Sequence, residues 1–275
     1  MRGFLHHFRT TLLLNCRNRQ ALIFGYAVPI FFLVAFAFIF GTKASQVGEK
    51  LGALLTINAM GGACFGMAIT MVGERERGVW RRYKLTPLSS GAFVLSTALA
   101  RYLIILSSML LQLIAAVLIY DVSWPLHPIA LFVSASLTAI AFIGIGLVIT
   151  SIASSVGAVQ ALSQSLFLPM IMIGGVGVAI ETLKPRWVQD VSLFLPGRYA
   201  VEAIQRSCTL PAGIDLLSFR PLALLMIGVV AILAGWKLFR WEPGERLKPS
   251  VWGWLAFVLA AWVTIGVVAV LLKPA

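Results

Sequence analysis

"MVGERERGVWRRYKLTPLSSGAFVLSTALARYL", residues 71–103, opens on the end of one apolar run and closes on the start of another. Between Glu74 and Lys84 it sets seven charges in eleven residues. The chain around it has 275 residues, 60% hydrophobic and 12% charged, with a mean hydropathy of +0.94. Charge gathered into one short segment between long apolar runs is the pattern of a loop between membrane spans.

The apolar runs support that reading. A hydrocarbon core about 30 Å thick takes roughly 20 helical residues to cross. Seven stretches are long enough, near residues 22–40, 52–72, 102–120, 129–150, 160–178, 221–239 and 251–272. They are continuous, whereas barrel strands alternate in segments of ~10 residues. The expected fold is therefore an all-α polytopic membrane protein.

The formal charge of +12 then reports topology before it reports a nucleic acid, because cytoplasmic loops collect Lys and Arg. With the N-terminus inside, Arg2, Arg9, Arg17 and Arg19 fall on the inner side, as do the basic residues of 75–84 and Lys237, Arg240, Arg246 and Lys248. They outnumber the basic residues left outside. The N-terminus is placed in the cytoplasm, and seven spans put the C-terminus outside. Cys16, Cys64 and Cys208 fall in separate compartments of this topology and make no disulfide framework. No cleaved signal peptide is expected, since the first 20 residues lack a long apolar region and a small-residue cleavage site. "TLLLNC" is a poor lipoprotein site because of Asn15.

Residues 1–20 read as an amphipathic helix lying in the interface, with Phe4, Leu5, Phe8 and Leu12 on one face. His6 and His7 point ~100° apart on a helix and read as surface residues. Gly62 and Gly66 form a small-xxx-small step suited to close helix packing, within the chain or between copies. "GIG" at 144–146 and "GGVG" at 174–177 lie inside apolar runs, so neither is a nucleotide fingerprint.

The third apolar run is overlong, and the economical reading lets Arg101 snorkel to headgroups from the start of the span; a buried functional arginine is the alternative. Gln160, Ser163, Gln164 and Ser165 enter the fifth span. Polar groups at that depth need a wet cavity or partners, so Gln160, Ser163 and Gln164 are candidates to line a pathway, or to bond neighbouring helices. The long outer loop holds two amphipathic pieces, "RWVQDVSLFL" and "GRYAVEAIQRS", parted by Pro196 and Gly197. They are expected to lie on or dip into the outer leaflet. The tight inner loop at 240–250 carries two prolines and leads into the seventh span.

The charged segment itself fits one short helix over 73–85, with Glu74 and Arg77 paired and Val79, Trp80 and Tyr83 as an apolar edge. Ser89 or Ser90 can cap the helix that follows. Topology asks only for basic residues there. Two glutamates alternating with arginines suit a surface that docks on a protein partner, where complementary charges set the register. A merely solvated, positive loop is the alternative.

The stretch quoted at the outset resembles the signature of ABC-2 type permeases, the membrane subunits of one class of ATP-binding-cassette exporters. That family shows E-R-E-x-G-[ST], then a basic helix and T-P-[LIV]-[ST]; Val79 departs from the usual small polar residue. "FLPGRYAVEAIQRS" is similar to the family's outer proline-and-aromatic segment. The resemblance covers about residues 1–240 and implies a six-span plan, with an N-terminal interfacial helix over 1–20 and a transmembrane domain over 21–240; the extra C-terminal span within 241–275 departs from the family's usual six. It implies a coupling helix near 73–86 and an outer re-entrant segment near 181–219. By the same resemblance, Glu74, Arg75, Glu76, Arg77, Gly78, Arg81 and Arg82 would form the surface that docks on an ATPase subunit. Pro196, Arg198, Tyr199 and Glu202 would be candidates for an outer gate.

The chain has no G-x-x-x-x-G-K-[ST] of its own, so ATP and Mg would be bound by the partner ATPase, with no cofactor, metal or catalytic residue in this chain. A second permease copy is implied, in the plasma membrane of a prokaryote. The expected cargo is hydrophobic or amphipathic, drug or lipid-like; a polysaccharide or glycolipid is the rival within the class. A polytopic enzyme would need converging catalytic groups, and an ion-coupled secondary transporter would need midplane charges and repeats. Neither pattern stands out.

Overall fold

The computed structural model describes residues 2–17, 19–86, 89–178, 185–209, 218–242 and 250–272. The prolines Pro243 and Pro249, the Pro87-Leu88 step and the stretches 179–184 and 210–217 lie outside the described residues.

Long apolar runs become helices because a chain in lipid must satisfy its own backbone. The N-terminal helix α1 (Arg2–Arg17) precedes α2 (Gly25–Phe40). Then come α3 (Leu51–Glu76), the short α4 (Val79–Lys84) and α5 (Ser90–Tyr120). They are followed by α6 (Pro128–Ile152), α7 (Val156–Met172), α8 (Arg186–Ser192), α9 (Pro196–Thr209), α10 (Phe219–Lys237) and α11 (Ser250–Leu271). Five of these are long and apolar enough to span a bilayer, and α2 and α7 are shorter apolar helices. Each of the seven expected stretches holds one of these helices, though the fifth ends at Met172 and residues 173–178 leave the helix in bends. Ser89 and Ser155 cap α5 and α7, their hydroxyls accepting from the amides of Ala92 (3.2 Å) and Ala158 (3.1 Å).

Glycine sets the tightest helix pair. A Cβ at Gly144 on α6 would come within 2.8 Å of the Gly228 carbonyl on α10, and one at Gly235 within 2.6 Å of Leu147. "GIG" is thus a packing feature. A Cβ at Gly62 would lie 2.9 Å from Ile105 and one at Gly66 3.3 Å from Arg101, so both glycines serve close contact between α3 and α5 within the chain. They lie in a π-helical stretch, Gly61–Met67. Asn58 on α3 donates to Ser108 and Gln112 on α5 at 3.0 Å each, and Gln112 reaches the Pro29 carbonyl on α2 at 2.9 Å. These buried amides join three spans.

The two amphipathic pieces are helices α8 and α9, and α9 is more than a surface helix. It is wedged into the bundle against α3, α6 and α10 with Tyr199, Ala200, Ala203, Ile204 and Ser207 buried. Small residues on its inward face allow the approach, and Gln205 grips the start of α3 through the Gly52 amide (2.8 Å) and the Gly48 carbonyl (2.9 Å). Helix α11 rests on α10 with most of its surface uncovered.

Candidate functional site

The charged segment is not the single helix expected over 73–85. Span α3 runs on to Glu76, and the chain then breaks at Gly78, whose φ of +70° is left-handed. α4 starts afresh at Val79. Glycine takes that conformation without the Cβ clash that would strain another residue. The result is an elbow, with α3 and α4 meeting at Arg77 and Gly78.

The three charges of "ERE" point to three different elements. Glu74 accepts from the Trp80 indole at 3.2 Å, tying α3 to α4 across the break. Arg75 is 1% exposed; its guanidinium donates to the Thr150 carbonyl at 3.0 Å and to that of Ala153, at the end of α6. Glu76 is exposed and lies 3.4 Å from the Val156 amide, at the start of α7. The expected Glu74–Arg77 pair is not among the ion pairs of the described residues.

Arg75 is therefore removed from the expected docking surface, and Glu74 is half-buried. The physical reason is helical phase: successive residues turn ~100°, so one of two neighbouring charges faces the bundle. The buried one survives there because the last carbonyls of a helix lack intrahelical donors and carry partial negative charge. Arg240 does the same from the end of α10, donating to the Ser151 carbonyl at 2.8 Å.

The apolar edge holds α4 in place. Trp80 is fully buried against Phe93, Phe239 and Trp241, with ring centroids 5.1–6.4 Å apart. Lys84 pairs with Glu242 at 2.9 Å, which draws that carboxyl below its usual range. α4 is thus bolted to α3, α5 and the segment after α10. Its outward face presents Arg77, Arg81 and Arg82 beside Glu76, all exposed.

α1 covers this elbow. His7, read from sequence as a surface residue, is 6% exposed and lies against Tyr83 and Phe93, with Nδ1 2.7 Å from the Ser96 hydroxyl. Burial, with neighbouring His6 adding to it, lowers its pKa to about 4, so it is neutral at pH 7. Periodicity alone gave His7 no partner, because Ser96 is 89 residues away. Arg101 is likewise buried, at 8% exposure, and does not snorkel; Gly66 leaves room for its guanidinium against α3.

At the opposite end two of the gate candidates, Arg198 and Glu202, bind each other. Glu202 pairs with Arg198 at 2.9 Å and with Arg220. Arg198 also reaches the Gln189 carbonyl at 2.8 Å and the Ser192 hydroxyl. Tyr199 donates to the Leu193 carbonyl, and burial pushes its phenol up to about 12. Pro196 is buried at the start of α9.

The pathway candidates separate. Ser163 is buried and donates to the Cys64 carbonyl at 2.7 Å, bonding α7 to α3. Gln160 and Gln164 are exposed on one face of α7, one turn apart, with Ala161 and Ser165 beside them. Among the described residues, no three of His, Cys, Asp and Glu gather as a metal site.

Residues 3–207 match the family model described as ABC-2 type transporter. The probable multidrug ABC transporter permease YbhS of Escherichia coli (strain K12) is 26% identical over 169 residues, which is 61% of this chain and 42% of that relative. The same protein of Escherichia coli O157:H7 matches to the same extent. The chain thus spans about two-fifths of the length of these relatives.

Proposed function

This chain belongs to the ABC-2 type transporter family, and from that premise we propose that it is the permease subunit of an ATP-driven exporter, worked by a separate ATPase chain that docks on the elbow. The observation that carries the reading is the exposed charged face of α4 and its flank, Glu76, Arg77, Arg81 and Arg82, on a helix whose other face is locked by Trp80. A solvated loop has no need of such an anchor; a lever does.

Force applied to α4 reaches the spans through contacts already described. Glu74 passes it to α3, Phe93 to α5, and Phe239 with Trp241 to α10. Arg75 and Arg240 carry it to the end of α6, and Glu76 to the start of α7. ATP-driven closure of the ATPase pair would then favour one arrangement of the spans over another, by differential affinity for the two states. Gln160 and Gln164 are too polar to face lipid, so they face a pathway or a second copy of the chain. The cargo is hydrophobic or amphipathic, drug or lipid-like, and the elbow lies on the cytoplasmic side of a prokaryotic plasma membrane.

The test is co-purification followed by transport in vesicles. An ATPase chain should co-purify in stoichiometric amount, and Glu76→Lys should abolish ATP-dependent transport while leaving insertion intact. Cargo movement by the purified chain with no ATPase present would refute the reading.

A further inference from the structure

We propose that the cavity beneath α1 holds the phosphate of a phospholipid headgroup, with Arg101 as its principal ligand. The cavity, about 40 Å³, lies between α1, α3 and α5, with Asn15, Thr70, Thr97, Glu74 and Arg101 on its walls and Leu14 among its apolar lining. Room of this size takes a group of a few heavy atoms and not a drug-sized cargo.

Arg101 is more than nine-tenths buried, yet no hydrogen bond or ion pair engages it among the described residues. Its guanidinium carries five N–H donors and no acceptor. The Thr97 hydroxyl, one turn earlier on α5 and on the same cavity, is also buried without a partner. Unmet donors around a small hollow call for an acceptor-rich group, and a phosphate matches the guanidinium fork.

Glu74 decides between sources of phosphate. Its carboxylate shares the cavity and its charge acts on Arg101, though Trp80 holds one of its oxygens. This acidic wall disfavours a free phosphate of higher charge and tolerates the singly charged phosphodiester of a lipid. The surroundings agree. Leu13, Leu14 and Ile23 are about half exposed, at 49%, 55% and 54%, and offer an apolar flank for acyl chains. Arg9 and Arg17 are exposed on the same helix and favour an anionic leaflet.

The experiment uses the full chain, purified in detergent and stripped of lipid. Phosphatidylglycerol, diacylglycerol with the same acyl chains, and inorganic phosphate are each added. Native mass spectrometry counts bound lipid, and the unfolding midpoint is read alongside. Phosphatidylglycerol should bind and raise the midpoint, while the other two at equal concentration do neither. Arg101→Gln should weaken binding about tenfold or more. Thr97→Leu, which fills the hollow and keeps the arginine, should do the same and serves if the first variant fails to fold. Equal binding of diacylglycerol, an equal midpoint shift with inorganic phosphate, or undiminished binding in a folded variant would overturn the assignment. No ATPase is needed, so the result is independent of the transport reading.

Discussion

The two ends of the molecule use charge in opposite ways. At the α9 end, Arg198, Glu202 and Arg220 close on one another, and Arg198 spends its remaining donors on Gln189 and Ser192. At the elbow, Arg75 and Arg240 turn inward onto helix carbonyls, while Arg77, Arg81 and Arg82 are exposed. A charge satisfied inside its own chain holds the fold. A charge held on a rigid face and turned outward is available to another molecule. The contrast assigns stability to the first kind and recognition to the second, and substitutions can separate the two.

The largest effect is expected at Arg75. Arg75→Ala leaves the carbonyls of Thr150 and Ala153 without donors and frees α3 from α6, costing about 3 kcal/mol. Thermal unfolding in detergent should show it as a lowered midpoint. An unchanged midpoint would return Arg75 to the docking surface.

Next comes Glu202→Gln, which releases two arginines at once. The partly exposed setting limits the loss to about 1–2 kcal/mol, read by the same measurement. If α9 is a gate and not only a wedge, transport should fall further than stability.

Acid sharpens the comparison at the elbow. His7 titrates near 6.5 when unfolded and about 4 when folded, so between those values the unfolded chain binds more protons. Stability contributed by the docked, neutral imidazole is complete above about pH 6.5 and is lost as pH falls toward 4. The midpoint should decline across that window, and His7→Gln should flatten the decline.

The smallest effect on stability belongs to the outward face. Arg81→Glu with Arg82→Glu should leave the midpoint unchanged while abolishing co-purification of the ATPase. A destabilised but still assembled complex would invert the comparison.

The elbow also shows how much was legible in advance. The run of charge, the capping serine at 89, the apolar Trp80 edge and the small-residue steps are local patterns, and each stands where the sequence places it. His7 and Arg75 depart from their reading, and Arg101 follows its buried alternative, for one reason: their surroundings are built by residues dozens of positions away. Arg75 needs the end of α6, and His7 needs Ser96. Arg101 needs the gap that Gly66 leaves.

By itself the sequence determined that the chain is a bundle of membrane helices with one concentrated charge cluster, because burying backbone in lipid demands long apolar helical runs whatever they pack against. Only the tertiary structure decided which of those adjacent charges face inward. A turn of ~100° per residue separates neighbours, and the break at Gly78 resets the phase of α4 relative to α3.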